Sequence, residues 1–272
     1  MKAARRPGPS VRTRVRELTD GAERAREDRL ITEEPLEIRL AWPQMPAHRV
    51  WLTMRTPGND FELAAGWLFH EGIGTPSAVA YCTDTDLRPE QEFNVVTVTL
   101  GDVPARLPGG RDPALSAGSS ACGVCGSDSV DAALEVAAPP RSMAAPVDGA
   151  LVRSLPALLR EQQTLFERTG GVHAAGLFDE AGNPLVVRED VGRHNAVDKV
   201  TGARVLAGSS PAVAALAVSG RAGFELVQKA LAAGVGALVA VGAPSSLAVD
   251  LARRGGLALY GFTHTERTVR YS

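Results

Sequence analysis

Between residues 172 and 262, short apolar runs alternate with stretches of helical period, and this alternation constrains the fold more than any other feature of the chain. Strand-like runs cover residues 172–178, 185–189, 212–219, 237–241 and 257–262. Helical patterns cover 192–202, 222–233 and 245–254. The run at 212–219 is apolar until its last residue, Ser219, which suits a strand buried on both faces. Strands alternating with helices of this length predict an α/β fold, a three-layer sheet with helices on both faces. Just upstream, residues 154–168 carry Leu155, Leu158, Leu159, Leu165 and Phe166 at helical spacing. Ser154 is the expected cap of that helix, and Pro156 is tolerated because it falls in the first turn. Composition agrees: aromatic residues are only 5% of the 272 residues, while Ala, Val, Leu and Gly abound.

The first half reads differently. Residues 34–40 and 49–55 alternate apolar and polar, with Pro43 and Pro46 between them, which predicts a β-hairpin with a proline-bearing loop. Thr56-Pro57-Gly58-Asn59-Asp60 then turns the chain into a helix, with Asn59 or Asp60 as its cap. Phe61, Ala64, Ala65 and Leu68 mark one face of that helix, and Gly72 closes it. His70 and Glu71 read as its solvated end. Cys82 reads as a small core residue. Residues 93–100 are rich in β-branched side chains and predict a strand. Residues 1–30 are polar, with scattered Arg, Glu and Asp, and predict a disordered leader. The pair Pro139-Pro140 marks a boundary. The expected organisation is a leader over 1–30, an α+β N-terminal domain over 31–140, and an α/β domain over 141–272.

The chemistry-bearing stretch is Ser119-Ser120-Ala121-Cys122-Gly123-Val124-Cys125-Gly126, which holds two of the three cysteines. Residues 101–120 before it are dense in Gly, Pro, Ala and Ser and follow no hydrophobic period, so the pair is expected on a loop. The thiolate is the reactive form, and a free cysteine has a pKa of roughly 8.5. The C-x-x-C spacing lets one thiol stabilise the other as thiolate, and a helix over 127–136 capped by Ser127 would add its N-terminal dipole. Four chemistries fit this spacing: a redox dithiol, half of a zinc site, a sulfur carrier and plain structural thiols. Cys122 and Cys125 are the candidate catalytic residues in the first and third of these.

Charge and cysteine usage bound the setting. The formal charge is −2 and charged residues are 22%, so no global basic excess argues for nucleic acid. An odd count of three cysteines does not make a disulfide framework and points to a reducing cytoplasm. No apolar run approaches the roughly 20 residues of a membrane span. The Arg-rich N-terminus lacks the apolar core of a secretory signal.

In the second half the polar clusters fall where strands end. Arg188-Glu189-Asp190-Val191-Gly192-Arg193-His194-Asn195 joins a strand to a helix. Ser219-Gly220-Arg221 and Ala243-Pro244-Ser245-Ser246 hold the same place in the next two units. Ligands of open α/β sheets bind at the carboxyl ends of strands. Glycines, serines and helix N-termini there suit phosphate oxygens, and Arg193 and Arg221 add bidentate donors. No G-x-G-x-x-G or P-loop is present, so the phosphate expectation is chemical rather than motif-based.

Taken together, these stretches resemble the FdhD family of sulfur-carrier accessory proteins of formate dehydrogenases. The resemblance rests on Arg55-Thr56-Pro57-Gly58-Asn59-Asp60-Phe61-Glu62-Leu63-Ala64-Ala65-Gly66, Cys122-Gly123-Val124-Cys125-Gly126 and Gly170-Gly171-Val172-His173-Ala174-Ala175. It rests further on Arg188-Glu189-Asp190-Val191-Gly192-Arg193-His194-Asn195-Ala196-Val197-Asp198-Lys199, Ser219-Gly220-Arg221 and Ala243-Pro244-Ser245-Ser246-Leu247-Ala248-Val249-Asp250.

The resemblance implies a sulfurtransferase that accepts persulfide sulfur from a cysteine desulfurase. It would pass that sulfur to the bis(molybdopterin guanine dinucleotide) molybdenum cofactor for formate dehydrogenase. Cys122 matches the persulfide carrier and Cys125 its partner. The resemblance also implies a cytidine-deaminase-like fold for 141–272, a homodimer, and cofactor contacts from Phe262, Thr263, His264, Thr265, Glu266 and Arg267. With these the strand-end residues Arg193, His194 and Arg221 would meet the cofactor's phosphates. A zinc deaminase is disfavoured because His173-Ala174-Ala175 lacks the glutamate of H-x-E and follows the dithiol rather than preceding it. The alternative is a chaperone that binds the guanine nucleotide of the cofactor without moving sulfur.

Overall fold

A helix that is apolar nearly all the way round must be covered on every side, and Asp60–His70 (α1) is such a helix. Leu63, Ala64, Ala65, Gly66, Trp67 and Leu68 are all buried. Its two coverings define the architecture. The computed structural model describes residues 6–83, 87, 91–104 and 147–272. Cys122, Cys125, the helix expected over 127–136 and the proline pair at 139–140 lie outside the described residues.

One covering is a four-stranded sheet. Strands Glu34–Trp42 (β3), Met45–Arg55 (β4), Ala78–Tyr81 (β5) and Val95–Thr99 (β6) run in the order β4-β3-β6-β5. The β3–β4 hairpin is the one the alternation predicts, and β3 pairs in parallel with β6. Leu36, Ile38, Leu40, Val96 and Val98 turn from this sheet onto Leu63, Ala64, Trp67 and Leu68 of α1. Cys82 follows β5 half-buried, with its Sγ 3.6 Å from Arg39 Nη1.

The second half builds a six-stranded mixed sheet from His173–Phe178 (β7), Pro184–Asp190 (β8), Ala215–Val218 (β9), Ala237–Ala240 (β10), Ala258–His264 (β11) and Arg267–Arg270 (β12). The order is β12-β11-β10-β9-β7-β8. Strands β9, β10 and β11 are parallel, while β7 and β12 are antiparallel to their neighbours. Leu216, Val218, Leu238, Ala240 and Leu259 face helices Arg193–Leu206 (α4), Phe224–Ala233 (α5) and Ser246–Gly255 (α6). Ala215, Ala217, Ala237, Val239 and Tyr260 face helix Gly149–Glu161 (α2). The central strands are thus buried on both faces, as their unbroken apolar runs predict.

Three sequence expectations need correction. Residues 154–168 do not form one helix: α2 ends at Glu161 and a second helix, Thr164–Thr169 (α3), follows. The cap is Asp148, whose carboxylate accepts from Ala150 N at 3.1 Å, so Pro156 falls inside α2 and not in its first turn. The apolar stripe Val152, Leu155 and Leu159 starts before Ser154, which is why the helix starts earlier.

The third correction concerns the stretch read as a disordered leader. Within it, strands Ser10–Thr19 (β1) and Ala22–Ile31 (β2) pair as an antiparallel ribbon. The turn is Asp20-Gly21, with Gly21 at φ 79°. An Asp-Gly pair between two strand-length runs is a strong hairpin signal, masked here by the charge of the flanks.

The two halves meet where α1 crosses α4. At Gly66 a Cβ would stand 1.9 Å from the carbonyl oxygen of Asp198, and at Gly202 one would stand 1.8 Å from the carbonyl oxygen of Glu62. The two backbones therefore touch with no side chain between them. Buried polar ties flank this crossing. Asp190 is fully buried, accepts from Thr56 N at 3.1 Å and pairs with Lys199 Nζ at 2.6 Å. Lys199 donates back to Thr56 O, and Asn195 Nδ2 to Met54 O. Arg188 makes a two-pronged pair with Glu62 at 2.6 and 2.7 Å.

A second buried pair organises the turn into α1. Arg55 Nε and Nη2 bind the two carboxylate oxygens of Asp60 at 2.9 and 3.2 Å, with both residues about 1% exposed or less. Tyr81 donates to the same carboxylate at 2.8 Å; burial, then the Asp60 charge, push its phenol pKa up and keep it a donor. Asn59 holds the cap position in the left-handed region, but its side chain makes no cap hydrogen bond. Removing one partner from a buried pair of this kind costs about 3–5 kcal/mol.

Gly66→Ala tests the crossing by the sign of its effect. On helix propensity alone the change would stabilise α1 by about 0.5–1 kcal/mol. The contact with Asp198 predicts the opposite, a lower Tm by thermal unfolding, because the helices must part to admit the methyl group.

Candidate functional site

The carboxyl ends of β8, β9, β10 and β11 and the start of β7 all lie at one edge of the six-stranded sheet, since Asp190 is opposite His173 and Val218 opposite Ala175. The loops there are joined into a continuous ledge. Gly242 N donates to Gly220 O, Ala222 N to Ala243 O, Ser245 N to Ala222 O, and Phe262 N to Gly242 O. Gly242 permits this closeness: a Cβ there would stand 2.9 Å from Arg221 Cγ. Three helices, α4, α5 and α6, begin at the ledge. The N-caps of α4 and α5 are Gly192 and Gly223, and neither has a side chain to satisfy the free N–H groups. Only α6 is capped by a side chain, that of Ser245 onto Ala248 N.

The side chains expected at this edge are there. Arg193 opens α4, and its Nη2 lies 3.9 Å from the position of a Cβ on Gly223, so the guanidinium bridges the starts of α4 and α5. Its Nε is buried with no hydrogen-bond partner among the described residues. A buried donor left unsatisfied costs about 1–3 kcal/mol, which an incoming anion would recover. His194 pairs through Nε2 with Glu225 at 2.9 Å. Arg221 is exposed on the ledge.

The segment from Phe262 to Arg267 forms the end of β11, a two-residue turn and the start of β12. Phe262 lies on a register shift at φ 51°, a left-handed conformation that a bulky side chain seldom adopts. Its ring is 44% exposed, with the Arg267 guanidinium 5.8 Å from the centroid. His264, Thr265 and Glu266 are exposed. Thr263 points inward and shares a hydrogen bond with Thr268 at 2.9 Å, so only its backbone faces the ledge.

Two histidines hold places that the sequence reading did not give them. His173 starts β7 with its Nδ1 3.3 Å from the place of a Cβ on Gly220. Burial, then the positive charges of Arg193 and His194, hold its pKa below the ordinary imidazole value, so it is neutral near pH 7. Its position at the start of a strand, opposite Asp190, was the available signal. The second is His70, expected at a solvated helix end. It is 2% exposed, and its Nδ1 lies 2.6 Å from Asp198 Oδ1, which also receives Lys229 Nζ at 2.7 Å. Burial alone would raise Asp198, but Lys229 and His70 outweigh it and hold the carboxyl below its usual range. The end of α1 is covered because α4 and α5 pack over it.

The run at 188–199 therefore divides. Asp190, Asn195, Asp198 and Lys199 are buried ties, Arg188 pairs with Glu62, and Glu189 accepts from Leu165 N and Phe166 N to start α3. His194 pairs with Glu225, and Arg193, with its Nε unpartnered among the described residues, remains for a ligand. The ledge thus offers two uncapped helix N-termini, two arginines and an exposed ring, an arrangement suited to phosphate oxygens and a planar heterocycle. Among the described residues no helix is long and apolar enough to cross a membrane.

Comparison with known proteins places this architecture. The model of the FdhD/NarQ family matches residues 31–272. The chain is 45% identical over 92% of its length to a protein named sulfur carrier protein FdhD in Streptomyces avermitilis, covering 89% of that protein. It is 46% identical over 97% of its length to one of the same name in Nocardia farcinica, covering 93% of it. Its fold is similar to a crystal structure from Desulfotalea psychrophila described as a formate dehydrogenase accessory protein, with a TM-score of 0.71 at 23% identity, covering 97% of this chain and 96% of that one. The chain belongs to the FdhD/NarQ family.

Proposed function

We propose that this chain is a sulfur carrier that takes persulfide sulfur from a cysteine desulfurase and passes it to the bis(molybdopterin guanine dinucleotide) molybdenum cofactor, in the service of a formate dehydrogenase. The observation that carries the reading is near full-length similarity to proteins named sulfur carriers, combined with a ledge built for an anionic, ring-bearing ligand. We read residues 141–272 as a cytidine-deaminase-like layered domain, supported by helices on both faces of the six-stranded sheet. We also assign a homodimer and a cytoplasmic, thiol-reducing setting.

The chemistry runs through two thiols. The Cys122 thiolate attacks the outer sulfur of the desulfurase persulfide; that sulfur–sulfur bond breaks and the donor thiolate leaves. Cys122 now carries the sulfur as a persulfide, a reversible cap. The Cys125 thiolate then attacks Cys122 Sγ and expels the outer sulfur as sulfide, which the molybdenum of the bound cofactor takes up. The Cys122–Cys125 disulfide left behind keeps the two oxidising equivalents, and a dithiol reductant reopens it before the next turn. The cofactor is the substrate here. Its guanine dinucleotide lies along the ledge, with phosphates at Arg193, Arg221 and the starts of α4 and α5, and a ring against Phe262. His173, held neutral beside Arg193 and His194, adds no charge repulsion to those groups and leaves a ring nitrogen for a hydrogen bond.

Two measurements test this. Incubation with a cysteine desulfurase and cysteine is expected to add the mass of one sulfur atom to the intact protein. Cys122→Ala is expected to abolish the gain, and Cys125→Ala to retain it but fail to discharge. Sulfur accumulating on Cys122→Ala at the wild-type rate would overturn the assignment. For the ledge, Arg193→Gln and Arg221→Gln are each expected to weaken guanosine diphosphate binding by calorimetry about 10-fold or more, the worth of one charged hydrogen bond. Unchanged affinity in both variants would remove the nucleotide from this edge.

A further inference from the structure

The ribbon β1–β2 is a sheet of only two strands, and most of its residues are exposed. It meets the body near its base, where Ile31 lies 3.3 Å from the place of a Cβ on Gly171. Val11, Leu18 and Leu30 are 52%, 76% and 47% exposed. A lone two-stranded ribbon is marginal in water, and neither outer edge has a partner strand among the described residues; on β2 the edge groups Arg29 N and Glu27 O are met by neighbouring side chains, Asp28 Oδ1 at 2.9 Å and Arg26 Nη1 at 3.4 Å. Such edges are covered, blocked or used.

The two edges differ in what they accept. When a strand pairs antiparallel with its own copy about a two-fold axis, directly opposed residues share a face of the sheet. On β1, Arg12, Arg14 and Arg16 occupy alternate positions. Centring the pair on residue 13 sets Arg12 against Arg14, centring on 14 sets Arg12 against Arg16, and centring on 15 sets Arg14 against Arg16. Every central register of β1 repels itself. On β2 both signs are present, with Arg24, Arg26 and Arg29 set among Glu23, Glu27 and Asp28. Centring on Arg26 sets Arg24 against Asp28 and Glu23 against Arg29, twice each by symmetry, and Ala22 against Leu30. The one like-charged pair is Arg26 with itself, and on each copy Arg26 is already held by Glu17 at 3.2 Å and Asp28 at 3.1 Å.

We propose that β2 is a self-complementary edge through which two copies of this chain join their ribbons into one four-stranded antiparallel sheet centred on Arg26. The inference rests on the homodimer assigned above and gives it a surface. The β1 edge, with its alternating arginines, is the outer rim that stops the sheet from growing further. The charged, polar faces of the ribbon remain in water, so backbone pairing and opposed charges provide the association.

Cross-linking tests the register. Opposed residues at the two-fold axis stand about 4.5–5.5 Å apart at Cα, within disulfide span. Arg26→Cys, in a chain with Cys82, Cys122 and Cys125 changed to Ser, is expected to give a disulfide-linked dimer on mild oxidation. Arg24→Cys, equally exposed but off the axis, is expected to stay unlinked by itself and to link when mixed with Asp28→Cys. In the otherwise native chain, Arg24→Asp is expected to weaken the dimer by light scattering at least 10-fold, and Arg24→Asp with Asp28→Arg to restore it. A dimer that neither cross-links at residue 26 nor responds to the charge swap would overturn the ribbon surface while leaving the homodimer. A monomer at all concentrations would overturn both.

Discussion

Where α1 passes under α4, Gly66 and Gly202 bring two helix backbones into direct contact, and most of the molecule is arranged around that approach. Any side chain at either position would hold the helices apart. Separated helices would in turn open the buried ion pairs beside them. Asp190 with Lys199, and Asp198 with Lys229, are matched charges with little access to water, and His70 adds a hydrogen bond to Asp198. Such groups add little net stability when paired but become very unfavourable when one partner is withdrawn. The glycine contact and the buried pairs therefore enforce one another, and they fix one relative placement of the four-stranded sheet and the six-stranded layer.

That placement reaches the ligand ledge through α4. The same helix that carries Asp198, Lys199 and Gly202 into the crossing begins with Arg193 and His194 at the sheet edge. Asp190 ends β8, accepts from Gly192 N and Asn195 Nδ2, and so sets the entry into the helix. Thr56, from the other half of the chain, supplies the hydroxyl that accepts from Val191 N. The start of α4 is thus held from both sides, and its uncapped N–H groups stay aimed at the ledge. Strain at Phe262 belongs to the same logic. A bulky residue in the left-handed region costs about 1–3 kcal/mol, and such strain collects where a side chain must be presented rather than packed.

The sequence disclosed the sheet better than the ties that hold it. Apolar runs at β9, β10 and β11 could only be strands covered on both faces, and the ledge followed because ligand-suited residues stood at their ends. The run at 188–199 was readable as a strand-to-helix joint with binding potential. It was not readable that Asp190, Asn195, Asp198 and Lys199 would turn inward, because burial of a charge depends on a partner far off in the chain. Thr56, His70 and Lys229 are those partners, at separations that no local pattern reveals. The ribbon at Ser10–Thr19 and Ala22–Ile31 was hidden for a different reason: its strands bury almost nothing, so they lack the alternation by which strands are recognised. The dithiol was legible as chemistry from two cysteines and their glycines alone, and its position lies outside the described residues.

The account joins a thiol that carries sulfur to a ledge that holds the acceptor. The most direct measurement loads the protein with radiolabelled persulfide, presents the guanine-dinucleotide form of the molybdenum cofactor, and follows the label with and without excess guanosine diphosphate. The account predicts that label moves to the cofactor, and that the nucleotide blocks the transfer while leaving the persulfide intact. Transfer that proceeds at the same rate with the ledge saturated by nucleotide would contradict it.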